Sequence, residues 1–233
     1  MDALSLDLLA AAAALALTHT LLGPDHTLPF VMLAEARKWT RWRTLAVTFL
    51  CGVGHVVSSL VLGMVGLSLG WGAAEVLDVE QLRGGLAAWA LVAFGVAYAV
   101  WGARHAIRSR RGLLPHTHHG HVHLHDHGDR GHDHAVPDRS RTTFWALFVV
   151  FVLGPCEPLI PLFMVPASRG RWELAAMTAL VFSVVTVATM LILVALAHAG
   201  VRRLPLASLE RWSHALAGSV IAASGLAVIY LGL

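Results

Sequence analysis

Leu22-Gly23-Pro24-Asp25-His26 and Leu153-Gly154-Pro155-Cys156-Glu157 each interrupt a long apolar run with a Gly-Pro pair and then place polar side chains at the interruption. Proline has no amide hydrogen, and its ring clashes with the carbonyl four residues back, so a helix must open there. The backbone groups set free must face protein or a cavity, because hydrocarbon cannot satisfy them.

Outward from these two points the chain is apolar nearly everywhere. Hydrophobic residues make up 57% of the 233, charged residues 13%, and mean hydropathy is +0.67. A water-soluble surface cannot be assembled from the remainder, so the expected solvent is a bilayer. Apolar runs at Leu45 to Leu69, Leu86 to Trp101, Phe144 to Pro166, Leu174 to Val201 and Ala215 to Leu233 mostly reach the ~20 residues that cross a hydrocarbon core. The run from Leu4 to Ala34, broken at Gly23-Pro24, makes a sixth. The first 18 residues carry Asp2 and Asp7 and no Lys or Arg, so a removable signal peptide is not expected.

Of the 17 Lys and Arg, only Arg83, Arg169 and Arg171 fall outside the first, third and fifth loops. The positive-inside rule then puts those three loops in the cytoplasm and both termini outside, in the inner membrane of the cell. The net charge of +3 reports this orientation, and no basic face of a soluble domain supports nucleic-acid binding. Cys51 and Cys156 both lie in apolar runs, which excludes an extracellular disulfide framework.

The two Gly-Pro interruptions superpose when the second half is slid over the first, and Glu80, Leu86, Ala87, Ala93, Gly95, Ala97 and Gly102 likewise fall on Glu210, Leu216, Ala217, Ala223, Gly225, Ala227 and Gly232. Three spans per half make the repeats inverted. The expected fold is all-α and polytopic, with about six transmembrane helices in two inverted three-helix repeats, each opening on a broken helix. Residues 1–102 form the first repeat, 103–142 a cytoplasmic His-rich loop, and 143–233 the second repeat.

Asp25 and Glu157 are the only carboxylates expected well inside the membrane, with no Lys or Arg at that depth. An ionised carboxylate there costs several kcal/mol unless a cation, proton or partner offsets it, which makes the position functional by default. His19 precedes His26 by two helical turns, and His55 follows Cys51 by one, so each pair shares a face. Imidazole, carboxylate and thiolate together suit borderline ions such as Ni²⁺, Co²⁺ or Zn²⁺ better than Ca²⁺ or Mg²⁺. The expected metal residues are His19, Asp25, His26, His55, Cys156 and Glu157, with Cys51 read as a small packing residue. Ser183, Thr186 and Thr189 recur every three residues, where bonding back to their own helix and lining a pore are equally open.

Between the halves, Pro115 to Asp138 is a polar tract carrying His116, His118, His119, His121, His123, His125, His127, His132 and His134, nine of the 15 histidines. It cannot bury enough apolar surface to fold alone, and imidazoles at this density chelate metals, so it reads as a disordered cytoplasmic metal collector.

His19, Gly23-Pro24-Asp25-His26, Gly52-x-Gly54-His55 and the His-rich loop resemble the nickel/cobalt transporters and the urease-accessory-type membrane proteins of the lysine-exporter superfamily. That resemblance implies metal selection by His19, Asp25, His26 and His55. Gly154-Pro155-Cys156-Glu157-Pro158 is similar instead to a break in the thiol-disulfide conductors of cytochrome c biogenesis, which need two cysteines that meet. The leading expectation is transport of a divalent transition-metal ion, with efflux favoured, by alternating access at the two breaks. The alternatives are thiol-disulfide electron conduction through Cys51 and Cys156, and a metal-handling accessory role for urease or another metalloenzyme. No enzymatic activity and no tightly bound cofactor are expected, the metal (Ni, Co or Zn) being cargo. The expected partners are that ion and the lipid bilayer, with a second copy of the chain or a metallochaperone as candidate protein partners.

Overall fold

The computed structural model describes residues 3–111, 116–118, 121–123, 139–201 and 207–231. Helix α1 (Ala3–Leu22) stops at Gly23, a single 3-10 turn covers Pro24–His26, and α2 (Leu28–Ala36) resumes with Pro29 in its first turn. The missing amide of Pro24 and the extended backbone of Gly23 (φ −76°, ψ 103°) stop the first helix where the sequence places the break. Helices α3 (Arg41–Ser68) and α4 (Ala73–Arg111) follow. The second half repeats the order, with α5 (Arg139–Leu153), a break, α6 (Leu159–Ser168), α7 (Trp172–Val201) and α8 (Ser213–Leu231).

Among the described residues, five helices are long and apolar enough to cross a bilayer, and two shorter apolar helices, Thr143–Leu153 and Leu159–Ser168, flank the second break. This is a multi-pass helical membrane protein. The principal departure from the sequence reading is α4. Its apolar run is expected from Leu86 to Trp101, yet the helix is 39 residues long, about 58 Å at 1.5 Å per residue. It starts four turns early because Glu75 complements the positive end of the helix dipole in the first turn and because Glu80 pairs with Arg83 one turn on. It also runs nine residues into the expected loop 103–142, of which α5 takes the last four.

Helices α4 and α8 pack backbone to backbone. A Cβ added at Gly95 would come 2.3 Å from Ala222 N, and one at Gly218 would come 2.2 Å from Ala99 N, so only glycine permits this approach. Around that pair, α1 packs on α7, α5 on α3, and α2 on α8. The apolar interior falls into two clusters. One gathers Phe30, Leu33, Cys51, Phe151 and Met190, and the other Val56, Val76, Cys156, Leu159 and Phe182.

Part of the histidine tract departs from the expected disorder. His116–His118 (β1) and His121–His123 (β2) pair antiparallel, with His116 opposite His123 and Thr117 opposite Val122. His119, His125, His127, His132 and His134 lie outside the described residues.

Candidate metal centre

The first break turns His26 back over Gly23. A Cβ at Gly23 would come 2.3 Å from His26 Nδ1 and 2.8 Å from Asp25 Oδ1, so glycine makes room for both side chains. His26 Nδ1 is 3.1 Å from Asp25 Oδ1, and His26 is buried. His19, at the last turn of α1, brings its ring centroid to 4.9 Å from that of His26. His55, buried in the middle of α3, stands 5.3 Å from His26 and lies parallel to His19 at 6.2 Å.

One ring nitrogen from each of His19, His26 and His55 lies within 4.8 Å of the other two. The Nε2 atoms of all three are buried and without a hydrogen-bond partner. Orphaned buried polar atoms are uncommon in native structures, and three of them on neighbouring rings make this a candidate ligand site. The partners of the other ring nitrogens assign the tautomers. His26 Nδ1–H donates to the Asp25 carboxylate, and His55 Nδ1–H donates to Phe151 O at 3.2 Å. Both rings therefore keep a bare Nε2 lone pair, the arrangement in which a carboxylate or carbonyl orients a metal-binding imidazole.

The six expected metal residues do not converge on one point. His19, His26 and His55 form the donor cluster, and Asp25 serves it by holding His26. Cys156 is buried in the second apolar cluster, with its N–H donated to Glu80 Oε1 at 2.8 Å. Glu157 lines a cavity of about 620 Å³ that also reaches His19, Thr18, Gln81 and Trp89. Separation follows from the second break itself, whose Gly-Pro turn points successive side chains to different sides. Ser183 Oγ and Thr186 Oγ1 do not bond back to α7, both being buried without a partner.

The sequence reading missed two groups. Glu80 is completely buried, and Arg83, whose side chain is 16% exposed, pairs with it at 2.8 Å. The sequence reading put no carboxylate other than Glu157 and no cation at the second break, whereas Glu80 bonds Cys156 N–H and Arg83 bonds Gly154 O there. An available signal was the i, i+3 spacing of Glu80 and Arg83, which lets a helix carry both charges inward as a pair.

A polytopic helical protein with two proline-opened helices and a histidine trio, His26 and His55 buried and His19 half-buried, is thus the class that fold and site define. The family model described as "Cytochrome C biogenesis protein transmembrane region" matches residues 12–233, and the chain belongs to that family. No curated protein and no solved structure matches it. The match supports the resemblance to thiol-disulfide conductors and lends none to the nickel/cobalt transporters. The two cysteines, however, are not close: each is a free thiol buried in a different apolar cluster.

Proposed function

We propose that this chain moves a divalent transition-metal ion of the Ni²⁺, Co²⁺ or Zn²⁺ kind across the membrane through a site made by His19, His26 and His55. The observation that carries the reading is the three unpartnered Nε2 atoms, two of them on rings whose Nδ1–H is already committed. Ligand nitrogens ~2.0–2.1 Å from a tetrahedral ion stand about 3.4 Å apart, so modest ring rotation closes the trio around one. Three ligands leave a position for water or an incoming group, and incomplete ligation lets cargo leave.

Two inverted halves fit the same reading. A Cβ at Gly95 meets Ala222 N and Gly218 O, while one at Gly225 meets Val92 N and Ala88 O. Each of these three positions in the second half lies 130 residues beyond its counterpart in the first. Six spans follow if the broken α5–α6 counts as one. Arginine-rich loops then place the histidine tract in the cytoplasm of an inner-membrane protein, where it collects metal for export.

Family membership favours a second reading, electron conduction between thiols, which requires Cys51 and Cys156 to approach within about 7 Å between Cα atoms. Reconstitution into liposomes with a trapped metal dye separates the two. The expected result is flux of Co²⁺ or Ni²⁺ that His55→Ala abolishes and that Cys51→Ser and Cys156→Ser leave intact. Absence of flux for every ion, together with disulfide exchange lost in either cysteine variant, would replace metal transport by thiol conduction.

A further inference from the structure

The second break leaves two carbonyls without the amide donor four residues on that a continuous helix would supply. Pro155 cannot donate to Phe151 O, nor Pro158 to Gly154 O, each being the residue four positions back. Both vacancies are filled from other helices. His55 Nδ1 takes Phe151 O at 3.2 Å, and Arg83 Nη2 takes Gly154 O at 3.3 Å.

Arg83 is itself fixed. Its Nη2 donates to Glu80 at 2.8 Å and to Ser59 Oγ at 2.7 Å. Glu80 Oε1 also accepts from Ser59 Oγ at 2.5 Å and from the Cys156 N–H. Ser59 lies one turn beyond His55 on α3, so a single helix face holds both ends of the break. Gly154 joins the two ends: its N–H donates to Phe151 O at 3.1 Å, and a Cβ there would stand 3.3 Å from His55 Nδ1.

We propose that Glu80 and Arg83 are positioning residues for the metal centre, fixing the second break so that Phe151 O holds His55 in the tautomer and ring orientation that aim Nε2 at the ion. The proposal rests on the metal reading for its purpose but not for its geometry. The intramembrane ion pair touches none of the three metal-binding rings. It acts through Gly154 and Phe151, so that a charge pair on α4 sets the orientation of a ring on α3. Replacing both charges together avoids leaving one of them buried without its partner.

The test uses the full-length chain with the nine tract histidines changed to Ser, so that added Co²⁺ reports the membrane site. Metal-free protein labelled with ¹⁵N-histidine should show a His55 signal of the Nδ1–H form, identified by its loss in His55→Ala. In the double variant Glu80→Gln/Arg83→Met that signal should shift toward a tautomer mixture. Co²⁺ affinity should fall about 10- to 100-fold, with its visible absorption moving toward that of His55→Ala. Added to His55→Ala, the double variant should weaken Co²⁺ no further, since both act through one ligand. An unchanged His55 signal in the folded double variant, or an equal loss of affinity with and without His55, overturns the proposal. If the tautomer shift occurs but the parent binds no Co²⁺, the metal reading fails while the positioning role stands.

Discussion

Asp25 Oδ1 lies 3.1 Å from His26 Nδ1, while His26 Nε2, across the same ring, is buried with no partner. The carboxylate is therefore placed to orient the imidazole and to strengthen its free lone pair. Asp25→Asn keeps the shape and can accept the same hydrogen bond without the charge. Its Co²⁺ affinity, measured by titration of purified protein lacking the tract histidines, is expected to fall about 10- to 100-fold. Unchanged affinity would remove Asp25 from the site.

Each of the three histidines supplies one donor nitrogen to the cluster. Single His19→Ala, His26→Ala and His55→Ala changes should each remove one nitrogen from the metal's coordination shell. X-ray absorption counts those ligands directly, and a shell that keeps its full set in any one variant excludes that residue.

Gly23 leaves the space that Asp25 and His26 occupy, whereas a Cβ at Gly85 would meet nothing within 4 Å. Gly23→Ala should abolish metal binding, and Gly85→Ala should leave it unchanged. Equal binding by both variants would show that the His26 side chain need not fold back over the break.

Ser59 Oγ donates to Glu80 and accepts from Arg83, and both Ser59 and Glu80 are buried. Ser59→Ala is expected to cost about 1–3 kcal/mol of stability, seen as a lower melting temperature in detergent. Ser58→Ala is the control, since Ser58 bonds only to the carbonyl of His55 in its own helix.

The sequence exposed those features that depend on local pattern. Pro24 and Pro155 marked both breaks, and His19, His26 and His55 were among the six residues expected to bind metal. What it hid depends on pairs distant in the chain. Glu80 reads as a loop acid by hydropathy, because a hydropathy scale counts its charge and not the donors that Ser59, Arg83 and Cys156 bring to it. The grouping of Cys156 and Glu157 with the histidines rested on sharing a break, and a break reorients consecutive side chains, so position in sequence did not carry over to position in space.

The contact between α4 and α8 has a mechanical consequence. Where Gly95 and Gly218 bring two backbones together, no layer of side chains remains that could slide or re-mesh, and any shear would drive amide into amide. These two helices thus form a rigid pair, which makes them the natural frame of reference against which any displacement of the proline-broken segments α1–α2 and α5–α6 should be measured.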